Sequence, residues 1–251
     1  MNPILWQKSL DKLSISRSEL HIWRVDLGEI NHGLQNIILQ LSSEELRCSE
    51  DFIFERDRHR YQITHSMKRL ILASYLKCEP KCLEFEMGIQ GKPALTSLQN
   101  SLNLQFNISH SHDLILIAIT VEDSVGIDIE YYNKKLSIEG LDEIIFSPEE
   151  KIIFSTLKSE QEKEEAIFRC WTRKEAFLKA HGIGLVIDIA NITVDMNKFT
   201  EGNMKVFTHH AQIQTIACKF FNLNVDDFYA VVAVIGTFEK KLFYYDAVSI
   251  C

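Results

Sequence analysis

The chain has 251 residues, 46% apolar and 10% aromatic, which is enough for one large domain or two modest ones. Its 27 basic and 35 acidic residues leave a net charge of −8, which argues against a nucleic-acid binder, since such proteins usually carry a basic surplus. Apolar runs such as Ala230 to Ile235 are too short to span a bilayer, the first residues lack the order of a secretory signal, and the six cysteines have neither disulfide nor zinc spacing; a cytoplasmic protein with reduced thiols is expected.

Glu19 to Leu27 alternates apolar and polar residues, as a half-buried strand does. Leu41-Ser42-Ser43-Glu44-Glu45 opens a helix, with serine as cap and acids in the first turn. From Arg58 to Lys77, Tyr61, Met67, Leu70, Ile71, Ser74 and Tyr75 recur at three- and four-residue steps, so a long amphipathic helix is predicted. The same region, Glu55 to Lys81, gathers seven basic residues with few acids, a local patch suited to a compact anion. Gly91-Lys92-Pro93 marks a turn. Leu104 to Ile108, the polar break Ser109-His110-Ser111-His112 and the apolar run Leu114 to Thr120 follow.

Val125 to Glu130 is a further strand, and Ser147-Pro148-Glu149-Glu150 has the serine cap and first-position proline of a helix start. Glu160 to His181 forms a second long helix ended by Gly182, and the remainder is strand-rich, with Tyr229 to Ile235 the strongest buried strand. Each half carries a long helix and an aspartate-led apolar strand, Asp113 to Ala118 and Asp227 to Val232. This weak echo predicts two α+β lobes, residues 1–120 and 121–251, with a ligand cleft between them.

Three groups of residues can carry chemistry. In Gly126-Ile127-Asp128-Ile129-Glu130, strand alternation puts both carboxylates on one face, where a magnesium ion would relieve their repulsion. The bland alternative is one solvated acid and one paired with a lysine. In the helix Phe168 to Lys179, the i, i+4, i+8 spacing lines Trp171, Glu175 and Lys179 along one side. Glu175 can join the acid pair and Lys179 can meet a phosphate; equally, the two can form an ordinary helical salt bridge. Phe106-Asn107-Ile108-Ser109-His110-Ser111 offers hydroxyl and imidazole donors at a sheet rim, or simply a polar turn. A Ser/His hydrolase is disfavoured because strand neighbours face opposite ways and no nucleophile elbow is present. The remaining histidines, His209-His210 included, lack metal-ligand spacing.

Taken in order, Gly91-Lys92-Pro93, Phe106 to Ser111, Gly126 to Glu130 and Trp171 to Lys179 resemble the 4′-phosphopantetheinyl transferase superfamily, in its monomeric, surfactin-synthetase-activating form. The resemblance spans roughly Glu19 to Val194. It implies a pseudo-twofold pair of similar α+β lobes with the active site between them, and coenzyme A as co-substrate. By position it makes Asp128, Glu130 and Glu175 ligands of Mg2+, and sets Lys179 on the pyrophosphate. Ser109, His110 and Arg60 would hold the phosphates, His110 and Arg60 chiefly the 3′-phosphate, with Lys92 near the nucleotide end. Glu150 matches a further acid of that site, in a register that Glu149 leaves open. Arg173 stands where methionine is more usual. The reaction implied is attack by a serine of an apo acyl or peptidyl carrier protein on coenzyme A, releasing 3′,5′-adenosine bisphosphate. Glu175, or a water that it orients, would be the base. Ser137 to Leu157, rich in isoleucine and phenylalanine, is a docking surface for the carrier or else core. A metal-dependent nuclease and a non-enzymatic α+β binding protein are the rival readings; the first would need a broad basic face.

Overall fold

The computed structural model describes residues 4–8, 13–30, 34–88, 91–132, 139–182, 187–197, 202–208, 214–236 and 239–247. In chain order its elements are β1 (Gln7–Lys8), β2 (Glu19–Asp26), α1 (Leu34–Ile38), α2 (Ser43–Glu50), α3 (Glu55–Leu76), β3 (Phe85–Met87), β4 (Pro93–Leu95), β5 (Leu104–Ser111), β6 (Leu114–Val121) and β7 (Ser124–Tyr131). Then come α4 (Leu141–Ile145), α5 (Pro148–Ser155), α6 (Glu160–His181), β8 (Ile192–Thr193), β9 (Gly202–Thr208), β10 (Gln214–Leu223), β11 (Phe228–Ile235) and β12 (Lys241–Asp246). His209-His210 and Cys251 lie outside the described residues, as do Ser137 and Ile138.

Two five-stranded sheets, ordered β1-β12-β2-β6-β5 and β7-β11-β10-β9-β8, each carry one 22-residue helix. The layers run α3, first sheet, second sheet, α6. Met67, Ile71 and Leu72 of α3 pack with Trp23, Phe106 and Ile117 of the first sheet. Phe177 and Ala180 of α6 pack with Val206, Phe220 and Val231 of the second. Between the sheets, Leu20, Ile22, Leu116 and Ala118 meet Val125, Ile127, Val232 and Val234. Both faces of β6 and of β11 are thus covered, which explains their unbroken apolar runs. The pseudo-twofold α+β architecture expected from the sequence is the one observed.

Local signals account for the boundaries. Ser42, Ser147 and Ser159 each close a capping box, with Glu45, Glu150 and Glu162 returning the bond to the cap. Gly182 ends α6 at φ 76°, where a side chain would be strained. The helix α3 starts three residues before the periodic stretch, at Glu55, because its first turn is solvent-facing and carries no apolar signal. The expected break at Ser109–Ser111 does not occur. The strand β5 continues to Ser111 because Ser109 and Ser111 face the polar edge of β7, while His110 between them is exposed. The chain also does more than divide in two. Its β12 returns to the first sheet and pairs in parallel with β2, Lys241 opposite Glu19 through Asp246 opposite Arg24.

Candidate active site

The strands β5 and β7 belong to different sheets, yet run side by side and are joined through side chains. Asn107, Ser109 and Ser111 occupy alternate positions and so share a face. Asn107 Oδ1 accepts from Ile127 N at 2.9 Å, Ser109 Oγ donates to Asp128 Oδ1 at 3.1 Å, and Ser111 Oγ accepts from Tyr131 N at 3.0 Å while donating to Glu130 Oε2 at 3.4 Å. This polar ladder replaces backbone pairing and fixes where the β7 carboxylates point.

The other boundary is α6, which runs close over β7. Gly126 makes the approach possible: a Cβ there would lie 2.1 Å from Ala176 O and 2.3 Å from Ala180 N. From within that contact and the turn before it, α6 presents Lys179, Glu175 and Trp171 at four-residue steps. Trp171 Nε1 donates to Glu130 Oε1 at 3.1 Å, and Lys179 Nζ donates to Asp128 Oδ1 at 2.7 Å and to Ser109 Oγ at 3.0 Å. Lys179 therefore turns to Asp128 rather than forming the helical salt bridge with Glu175.

Three carboxylates converge here. Burial raises the pKa of Asp128, with Lys179 opposing the rise; burial and then the charge of Asp128 raise Glu130 and Glu175. Asp128 Oδ2 and Glu175 Oε1 are buried with no hydrogen-bond partner among the described residues. Unpartnered hard oxygens among mutually repelling acids are the donor set a small divalent cation favours. Among the described residues, however, no three His, Cys, Asp or Glu side chains are gathered closely enough to ligate one ion.

Beside this cluster opens a cavity of about 1200 Å³ between α2, α3 and β5, lined by Arg60, Tyr61, His65, Lys68 and His110 among others. His110 follows Ser109 and faces the opposite way, so the pair cannot act as a hydrolase dyad. Partial desolvation, then the charges of Arg60 and Lys179, hold the His110 pKa below its usual value. That coupling places the cavity wall and the carboxylate cluster within one electrostatic field. Deeper in, Glu45 is bonded to Arg69 Nε at 2.5 Å and to Lys68 Nζ at 3.1 Å. Against the upward push of burial, His65, Arg69 and Lys68 keep Glu45 below the ordinary carboxylate range.

Other predicted residues fall elsewhere. Lys92 Nζ donates to Val125 O at 2.8 Å, and burial lowers its pKa to about 8; its neighbour Pro93, not Lys92, lines the cavity. Glu150 is fully buried, accepting from Lys174 Nζ at 2.5 Å, from Ser147 N at 2.8 Å and from Val194 N at 2.7 Å. All its partners are structural, so it is not an acid of the cluster. Arg173 is buried against the second lobe, donating to Asn197 O at 3.1 Å and to the carbonyl of Asp195, away from the carboxylates. In the expected docking segment, Ile145 and Phe146 are core, whereas Ile144, Ile152 and Ile153 are 62%, 68% and 48% exposed. The bonding roles of Asn107 and Ser111, and those of Trp171 and Gly126, were not foreseen from the sequence. The period of two through Asn107, Ser109 and Ser111 was the available signal for the first pair.

Residues 124–233 match the family model of the 4′-phosphopantetheinyl transferase superfamily, and residues 29–122 match that of the 4′-phosphopantetheinyl transferase N-terminal region. The chain is similar to the 4′-phosphopantetheinyl transferase HetI of Nostoc sp., with 36% identity over 180 residues covering 72% of this chain and 76% of that protein. It is 27% identical over 172 residues to the 4′-phosphopantetheinyl transferase ffp of Bacillus subtilis, covering 68% of this chain and 73% of the relative. With the human L-aminoadipate-semialdehyde dehydrogenase-phosphopantetheinyl transferase it shares 28% over 171 residues, 64% of this chain and 54% of the relative. Given the two matched regions and the extent of identity with HetI, the chain belongs to the 4′-phosphopantetheinyl transferase superfamily.

Proposed function

We propose that the protein transfers the 4′-phosphopantetheine group of coenzyme A to a serine of an apo acyl or peptidyl carrier protein, releasing 3′,5′-adenosine bisphosphate. The observation that carries this reading is the meeting of Asp128, Glu130, Glu175 and Lys179 beside a cavity walled by Arg60 and His110. Asp128, Glu130 and Glu175 would hold Mg2+, which when bound supplies positive charge at the diphosphate.

The remaining work falls to this chain. Arg60 and His110 bind the 3′-phosphate, and their position in the cavity wall sets the orientation of the nucleotide. Ser109 positions Asp128 through its hydroxyl, and Lys179 donates to the diphosphate, balancing charge on the departing oxygen. Glu175, or a water that it orients, takes the proton of the carrier serine as the serine Oγ bonds to the β-phosphorus and the bond to the 3′,5′-adenosine bisphosphate oxygen breaks. Lys92, bonded to Val125 O, acts from outside the cavity lining by tying the start of β4, whose Pro93 forms part of the wall, to β7.

The same reading makes the chain a monomer of the surfactin-synthetase-activating type, working in the cytoplasm on carriers of fatty-acid, polyketide or peptide synthesis. Its lobes are residues 1–120 and 121–251, with β12 lent back to the first. The carrier docks over α4 and α5, where Ile144, Ile152 and Ile153 are exposed. The test is intact-mass spectrometry of an apo carrier incubated with the protein, coenzyme A and Mg2+. A gain of about 340 Da, the mass of the transferred group, that EDTA prevents is expected. No gain on any of several carriers, with no binding of coenzyme A, overturns the reading.

A further inference from the structure

The cation that the proposed reaction needs at the diphosphate is, in this structure, committed to an acid. Lys179 Nζ lies 2.7 Å from Asp128 Oδ1 and 3.0 Å from Ser109 Oγ, while Asp128 Oδ2 and Glu175 Oε1 have no hydrogen-bond partner among the described residues. Among the described residues, Lys179 is the one ammonium bonded within this cluster of three carboxylates, and of the three it is bonded to Asp128 alone. The two members of the ion pair are not equally held. The Asp128 side chain is 4% exposed and the Lys179 side chain 28% exposed, so the lysine has an open side and the aspartate has none. Lysine is a point charge on a flexible stem, suited to changing partners without rearranging its helix. Ser109 keeps its own bond to Asp128 at 3.1 Å and can retain the carboxylate orientation when the lysine leaves.

We propose that Lys179 is an exchangeable counter-cation: without ligands it occupies Asp128 in place of the divalent ion, and it crosses to the diphosphate of coenzyme A as that ion takes Asp128. This inference rests on the metal and coenzyme A reading given above. It makes Lys179 a positioning residue before the reaction as well as a substrate contact during it. It also has a thermodynamic signature. Lysine and metal compete for Asp128, so metal alone binds weakly; coenzyme A gives the ammonium another partner and so strengthens metal binding. By linkage, metal strengthens coenzyme A binding by the same factor.

The experiment is Mn2+ binding, followed by the electron paramagnetic resonance signal of the free ion, to the full chain and to Lys179→Met, Lys179→Gln and Lys179→Arg. Each is measured with and without coenzyme A. Lys179→Met is expected to bind Mn2+ alone about tenfold more tightly than the unchanged protein, the size of a typical coupling. Coenzyme A should then strengthen its metal binding by a smaller factor. Lys179→Gln reports the same loss of charge if the methionine variant does not fold, and Lys179→Arg should bind metal as weakly as the parent. A folded Met or Gln variant that binds Mn2+ no more tightly than the parent overturns the exchange while leaving the metal site standing. Absence of Mn2+ binding to every form, even with coenzyme A, overturns the metal reading and the exchange together.

Discussion

Asp128 combines the properties of a reactive residue and a poorly satisfied one. It sits in a dry strand face, one oxygen held by Ser109 and Lys179 and the other unmatched among the described residues, with two more acids nearby. Natural folds tolerate such conflict where function requires it. Removing the charge should therefore separate activity from stability. Asp128→Asn is expected to lower carrier modification more than about 100-fold, beyond the cost of losing an outer-shell partner of a metal ligand. Its melting temperature should stay level with or above that of the parent, because repulsion on Glu130 and Glu175 is relieved. Retained transfer activity would remove Asp128 from the site; a collapsed melting transition would make its role structural. Glu150 shows the opposite design, with both oxygens matched by Lys174 and two backbone amides. A buried acid whose partners are all structural belongs to the scaffold, and burial alone could not have told the two apart.

The contact between β7 and α6 sets the geometry at the scale of elements. Gly126 touches the helix backbone, and the strand then advances two residues at a time past it, bringing Asp128 level with Lys179 and Glu130 level with Trp171. Gly126→Ala places a methyl group against main-chain atoms that cannot rotate aside. It should destabilise the protein by at least about 2 kcal/mol, measured by urea denaturation, and abolish transfer because the lysine and the acids move apart together. A Gly126→Ala protein with normal stability would mean that the helix shifts freely over the strand. Much of this scale was legible in the sequence. The serine caps and Gly182 define α5 and α6 nearly to the residue, and the shared faces of Asp128 with Glu130 and of Trp171 with Lys179 follow from periods of 2 and 3.6. What stayed hidden depends on distant pairing. Ser109 to Ser111 reads as a loop until β7 is known to lie beside it, and Arg173 and Lys174 show their partners only once residues 145–150 and 195–197 fold against α6.

At the scale of the molecule, the two lobes share one arrangement but not one electrostatic character. The first contains a buried histidine, His21, whose Nδ1 lies 2.7 Å from Tyr75 Oη. Tyr75 Oη also accepts from Trp23 Nε1 at 2.9 Å. Burial lowers the His21 pKa from the ordinary 6.5 to about 4, the Glu19 charge opposing only in part. A depressed folded-state pKa contributes stability that is complete above 6.5 and is lost as pH falls through about 4. The loss attributable to His21 is about 3 kcal/mol at most. Glu45, also depressed, adds a further loss below the ordinary carboxylate range. Urea denaturation at pH 7 and pH 4.5 should therefore show marked acid weakening in the parent and less in His21→Gln. Equal pH dependence in the two proteins would exonerate His21.

The strand β12 has a consequence for how the chain is made. It lies between β1 and β2 in the first sheet, although most of the second lobe separates it from β2 in sequence. A ribosome delivers the first lobe with the β2 edge unpaired and keeps it so until residues 241–246 emerge. Throughout that interval the nascent lobe presents a free strand edge, the kind of surface that invites mispairing and chaperone capture. The two halves resemble each other, but they cannot mature one after the other: the first is finished by a strand that follows the second, β12.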